Sequence, residues 1–172
     1  IYSECEKLIE SLRLASYNID AFRKDIFQKK LKDFEQIKDY LTQQGWTEEK
    51  IHKYLMSLGR NESVIAILKM LFLKRLESSI EAFKISINNL LGFQRKFLEF
   101  LENGKILDRE TYNKFYASQT EDENEESVFP AELIKDINPD EYEIEEIKRK
   151  TLEDIHILES LTKKLSLISE DR

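Results

Sequence analysis

Cys5, Leu8, Leu12, Ala15, Ile19, Phe22 and Ile26 recur at steps of three and four, and Phe27, Leu31, Phe34, Ile37 and Leu41 continue the pattern. Such steps gather apolar side chains on one helix face. They predict a long amphipathic helix through Leu41, bent near Ser16 to Asn18 and stopped by Gly45 as a C-cap. Thr47 with Glu48 and Glu49 opens a short helix through Ile51, Tyr54, Leu55 and Leu58, which Gly59 is expected to close. From Asn61 helical periodicity runs to Gly104, a spine of about 60 Å at the usual rise. Within it Leu73, Leu76, Ile80, Phe83, Ile87, Leu90, Gln94, Phe97 and Leu101 form a coiled-coil-like seam. Upstream, Val64 to Phe72 is apolar on nearly every side, so this end is expected to be covered by more than one neighbour. Asn138-Pro139-Asp140 signals a last helix start, followed by Ile144, Ile147, Thr151, Ile155, Leu158, Leu161, Leu165 and Ile168 at helical steps.

These elements predict an all-α, elongated antiparallel bundle of three long helices plus one or two short ones. A single domain over 1–172 is expected. Asp108 to Tyr116 reads as a turn or two of helix, and 117–139 as a flexible acidic connection. Composition agrees: 41% of the 172 residues are hydrophobic and 35% charged, which suits thin apolar seams between helices. With only four Gly and two Pro, the turns of a many-stranded sheet could not be built.

Charge divides the chain. The net charge is -7, yet residues 1–105 carry 18 basic and 15 acidic side chains whereas 106–172 carry 9 and 19. Twelve carboxylates between Glu121 and Glu146 face the single Lys135, a run that repels itself and favours a solvated loop. The basic clusters are small: Lys29-Lys30-Lys32, Lys74-Arg75, Arg95-Lys96 and Lys148-Arg149-Lys150. Contact with nucleic acid would rest on few phosphates, so weak DNA affinity at physiological salt is expected of these residues alone. The one cysteine, Cys5, cannot form an internal disulfide, and no apolar run is long enough to span a membrane. A cytoplasmic chain without a membrane partner is the expectation. The ends read as those of a fragment excised from a longer protein.

Chemistry finds little support in the residue patterns. Gly45, Gly59, Gly92 and Gly104 lie too far apart to cradle a phosphate. Asp122, Asn124 and Glu126 begin a calcium-loop pattern that fails at Ser127 and Leu133. Glu49-Lys50-Ile51-His52 and Glu153-Asp154-Ile155-His156 both read Glu-x-x-His, as in di-iron bundles, but Ile155 and Leu158 define the buried face and point Glu153 away from it. Solvated histidines account for both. No nucleophile elbow is present to organise Ser, His and Asp for hydrolysis. Catalytic, cofactor and metal residues are accordingly expected to be absent. The least ordinary stretch is Lys74-Arg75-Leu76-Glu77-Ser78-Ser79, where two hydroxyls interrupt a bulky surface. It reads either as a solvated face or as a docking patch, with Lys74 and Arg75 reaching a neighbouring domain or a DNA phosphate and Ser78 and Ser79 allowing close packing.

Residues Leu71 to Phe83, with Asn89-Leu90-Leu91 and Phe97 to Ile106, resemble a segment of bacterial Swi/Snf-like superfamily-two helicases, several of which carry a phospholipase-D-type nuclease domain. The resemblance resumes at Leu152 to Leu158 and Leu167-Ile168, covering about half of the chain. It implies a non-catalytic helical insertion between two RecA-like motor lobes of the same polypeptide. ATP, Mg and the ATPase chemistry would belong to those lobes, and duplex DNA would be engaged through the parent protein. The alternative expectation is a coiled-coil adaptor that binds a partner helix through the Leu73 to Leu101 seam.

Overall fold

The computed structural model describes residues 2–31, 33–107 and 134–170. The architecture is an all-α bundle: α1 (Tyr2–Ser11), α2 (Lys24–Gln28), α3 (Phe34–Gln43), α4 (Glu48–Ser78), α5 (Ile80–Glu102) and α6 (Ile144–Glu170). Two 3-10 turns, Ala15–Tyr17 and Ile19–Phe22, lie between α1 and α2. A two-residue antiparallel pair, β1 (Lys105–Ile106) with β2 (Lys135–Asp136), closes the end of α5. The expected helix at Asp108 to Tyr116, most of the acidic connection and the failed calcium loop lie outside the described residues. The final part of that connection is structured, for Ile137 is buried and its N–H donates to the Gly104 carbonyl at 3.0 Å.

Three long helices are present among the described residues, but the chain is cut differently from the periodic pattern. The expected first long helix is in fact α1, two 3-10 turns, α2 and α3. Its apolar steps continue because each piece covers the same core, while the backbone turns between pieces. Leu14 adopts φ +52°, and the Asp154 carboxylate of α6 accepts the N–H groups of Arg13 at 2.8 Å and Leu14 at 2.7 Å. A buried carboxylate that satisfies two amides at once stabilises a turn that periodicity cannot reveal. Further along, Arg23 bridges Tyr142, with Lys24 N–H on the Glu141 carbonyl and Glu143 N–H on the Phe22 carbonyl, both at 2.8 Å. That pairing also delays α6: Asn138-Pro139 forms a turn and the helix begins at Ile144 instead.

Alpha2 ends in a Schellman turn, with Leu31 N–H on the Ile26 carbonyl at 3.2 Å and Lys30 N–H on the Phe27 carbonyl at 3.0 Å. Lys30, at φ +55°, occupies the left-handed position that glycine normally takes. Alpha3 ends the same way with the expected glycine, Gly45 at φ +88°, and Trp46 N–H reaching the Leu41 carbonyl.

Gly59 does not close a helix. Alpha4 runs through it for 31 residues, opened by Thr47, whose hydroxyl accepts from Lys50 N–H at 3.2 Å. One helical glycine costs only about 1 kcal/mol relative to alanine, less than neighbouring packing returns. A Cβ at Gly59 would meet only the Phe34 ring, at 4.0 Å. Gly59→Ala is therefore expected to raise stability by about 0.5–1 kcal/mol in urea unfolding.

The expected spine is interrupted at Ser79, the shared cap of α4 and α5, which is extended at φ −159° and ψ 112° and accepts from Ala82 N–H at 3.1 Å. Arg75 Nη1 donates to Ser86 Oγ across this break. In an unbroken helix those residues would stand about 16 Å apart along the axis, so α5 must fold back on α4. Early α5 (Lys84, Asn88) lies beside late α6 (Thr162, Leu165), and late α5 (Leu101) beside Ile144, so the two run antiparallel.

Two apolar clusters result among the described residues. The larger fills the space between α5 and α6 with Phe83, Ile87, Leu90, Phe93, Phe97 and Leu158 and extends to Cys5, Ile9 and Leu14. The smaller joins Ile26, Ile37, Leu41, Ile51, Tyr54 and Leu58. At its edge the Arg23 guanidinium stands 4.8 Å over the Trp46 ring and 5.7 Å over Tyr54, and the Tyr54 hydroxyl donates to the Asp20 carbonyl at 2.6 Å.

Candidate functional site

The four candidate contact residues fall together at the α4–α5 hinge, and all are exposed. Lys74 projects from the last turns of α4. Arg75 is anchored at one guanidinium nitrogen by Ser86. The two serines serve the chain's own backbone: Ser78 Oγ donates to the Lys74 carbonyl at 3.0 Å, and Ser79 caps α5. Beside them the Tyr2 hydroxyl donates to Glu77 at 2.8 Å, which ties α1 to this corner.

The more informative surface continues from Lys74 back along α4. Met56 (55% exposed), Val64, Ile67 (50%), Met70 (56%) and Leu71 are all exposed, and their spacing puts them on one side of the helix. Lys53, Arg60 and Lys74 share that side, and between Lys53 and Lys74 it presents no carboxylate. Lys53 pairs with Glu49 at 3.5 Å at the edge of the face. A soluble monomer scatters its exposed apolar residues, and a row of them along one helix marks a contact surface. The expectation that Val64 to Phe72 needs more than one neighbour is met only on its inner side, where Phe72 is buried and Ile65 and Leu68 pack on the larger core. The Leu73 to Leu101 seam differs: Leu76, Phe83, Ile87, Leu90, Gln94, Phe97 and Leu101 are all buried within this chain. It is filled internally, so it does not offer a partner helix a place.

An open groove of about 600 Å³ lies between α2, α3, α4 and α6, which sequence reasoning did not find. Most of its apolar lining comes from residues 21–37, which periodicity reads as one continuous helix; the turns that fold this stretch, and the arrival of Leu58 from α4 and Lys150 from α6, are what periodicity does not reveal.

The paired Glu-x-x-His motifs are not assembled. His52 and His156 are exposed, Glu49 pairs with Lys53, and Glu153 accepts from Arg149 at 2.9 Å. Among the described residues no group of three or more His, Cys, Asp or Glu could hold a metal ion. Cys5 is fully buried and burial pushes its thiol up, away from reactivity. Among the described residues no helix is long and apolar enough to cross a membrane. No family model, curated protein or solved structure matches this chain.

Proposed function

We propose that this chain is a non-catalytic helical domain that docks, through the exposed face of α4, against the RecA-like lobes of a bacterial ATP-dependent DNA translocase. The observation that carries docking is the carboxylate-free apolar face from Met56 to Leu71, ending in Lys74 at the hinge. The translocase identity rests on the resemblance of Leu71 to Phe83 and Phe97 to Ile106, which spans the hinge and α5. In this reading ATP and Mg belong to the lobes, the setting is cytoplasmic, and α5 with α6 forms the rigid stem that holds the α4 face in place. Closure of the lobes would then move the α4 face and the hinge cations together.

The alternative is a protein-interaction adaptor. The α4 face favours it as well, since an apolar helical face with basic residues accepts an acidic amphipathic helix. Reversing the charge of the hinge pair (Lys74→Glu with Arg75→Glu) in the parent polypeptide separates the two. The expected outcome is a several-fold fall in the DNA-stimulated part of ATP hydrolysis. Unchanged stimulation would remove the hinge cations from the mechanism, and a parent without ATPase activity would leave the adaptor reading.

A further inference from the structure

The groove of about 600 Å³ lies where the two apolar clusters meet. Phe22 and Phe27 on one side belong to the larger cluster, and Ile26, Ile37 and Leu58 on the other to the smaller. Between them the packing stays open, so Phe34 is left 41% exposed at the edge. The size lies within the range of sites that enclose a small organic ligand. Three charged residues line it: Lys30, Lys150 and Glu62. Lys150 is half-buried, and neither lysine has an ion-pair partner among the described residues, although its neighbour Arg149 is paired with both Glu146 and Glu153. Lys30 is set there by the Schellman turn that ends α2, at a left-handed position where glycine would be less strained.

We propose that this groove binds a single-tailed amphiphilic carboxylate, with the tail on the phenylalanine and aliphatic floor and the carboxylate between Lys30 and Lys150. Two cations beside an apolar trough, neither within ion-pair distance of a carboxylate among the described residues, complement an anionic head on an apolar chain better than a neutral or cationic one. Glu62 opposes the head group and holds the affinity below what the lysines alone would give. The site is separate from the α4 docking face and does not depend on it.

Calorimetric titration of the 172-residue chain with dodecanoate below its aggregation concentration tests this, with dodecanol, dodecyltrimethylammonium and acetate as comparison probes. One-to-one saturable binding of dodecanoate is expected, with dodecanol weaker by about tenfold or more, as loss of a charge-assisted contact implies. The cationic amphiphile and acetate should not bind measurably. Lys30→Gly should weaken dodecanoate by about tenfold while leaving the fold at least as stable, because it relieves the left-handed strain. Lys150→Gln should weaken it similarly, and Glu62→Gln should strengthen it. A purely structural role for these residues predicts no such opposite signs. Absence of saturable dodecanoate binding overturns the proposal. So does equal binding of dodecanoate and dodecanol, or indifference to the lysine changes, either of which would mean apolar adhesion only.

Discussion

Asp154→Ala is expected to lower the free energy of unfolding by about 3–5 kcal/mol, the combined cost of two charge-assisted hydrogen bonds and two stranded amides. The carboxylate is fully buried, and its two oxygens accept separately from Arg13 and Leu14, whose turn joins α1 to the rest of the bundle. Without it both amides lose this acceptor, and the buried Leu14 loses the bond that holds its turn against the core. Urea unfolding followed by circular dichroism measures the loss. Glu153→Ala, one residue away but exposed, should change stability by less than about 0.5 kcal/mol and serves as the control. A loss below about 1 kcal/mol for Asp154→Ala would show that the turn does not depend on this carboxylate.

The same group has a signed pH effect. Burial pushes the Asp154 carboxyl above the ordinary value of 3.8, opposed by the two backbone bonds and the Lys69 ammonium and assisted by Glu153. The folded state therefore holds this proton more tightly than the unfolded chain does. The extra stability that protonation of this group confers, as distinct from the two amide bonds it accepts, is fully present below the unfolded value and is lost as pH rises through the folded one. Asp154→Asn should abolish that part of the pH profile.

Phe93→Ala is expected to cost about 3–5 kcal/mol through lost burial and the cavity it leaves. The ring is fully buried on α5, meets Tyr17 edge-on at 5.7 Å and lies 6.0 Å from Phe97. It thus links the 3-10 turn after α1 to the α5–α6 stem, which also meet where Gln94 donates to Ser16 at 2.9 Å. Thermal or urea unfolding would show a cooperative transition at lower midpoint. Phe93→Leu should cost less than half as much, because it keeps most of the apolar volume. Equal costs for the two variants would indicate that the ring contacts, rather than volume, dominate.

Periodicity carries far where a helix is both long and packed along one side. Ile144 through Ile168 and Phe83 through Leu101 were readable because their apolar steps coincide with the α5–α6 interface. It misleads where a turn keeps the phase of the apolar face. Ala15, Phe22 and Ile26 sit at helical spacing, yet the turns between them are held by Asp154 and by Tyr142, more than 115 residues away. Ser79 announced itself only as a small hydroxyl; its role as a cap is local chemistry that hydrophobic spacing ignores. Lys30 gave no signal of a turn, since lysine is seldom left-handed. The hinge quartet was identifiable from its departure from a bulky surface, while the exposed α4 face was visible only as an all-round apolar stretch. Which side of that stretch stays uncovered depends on where α1 and α5 pack, and that is a tertiary fact.

The most direct test of docking through α4 is the reaction of an exposed thiol on that face. Ile67→Cys introduces one, and the buried Cys5 contributes little background. In the 172-residue chain the new thiol should react with a maleimide at the rate of a solvent-exposed cysteine; in the proposed lobe-bearing parent polypeptide it should react many times more slowly, because the proposed docking would cover it. Equal rates in the two proteins would contradict the account.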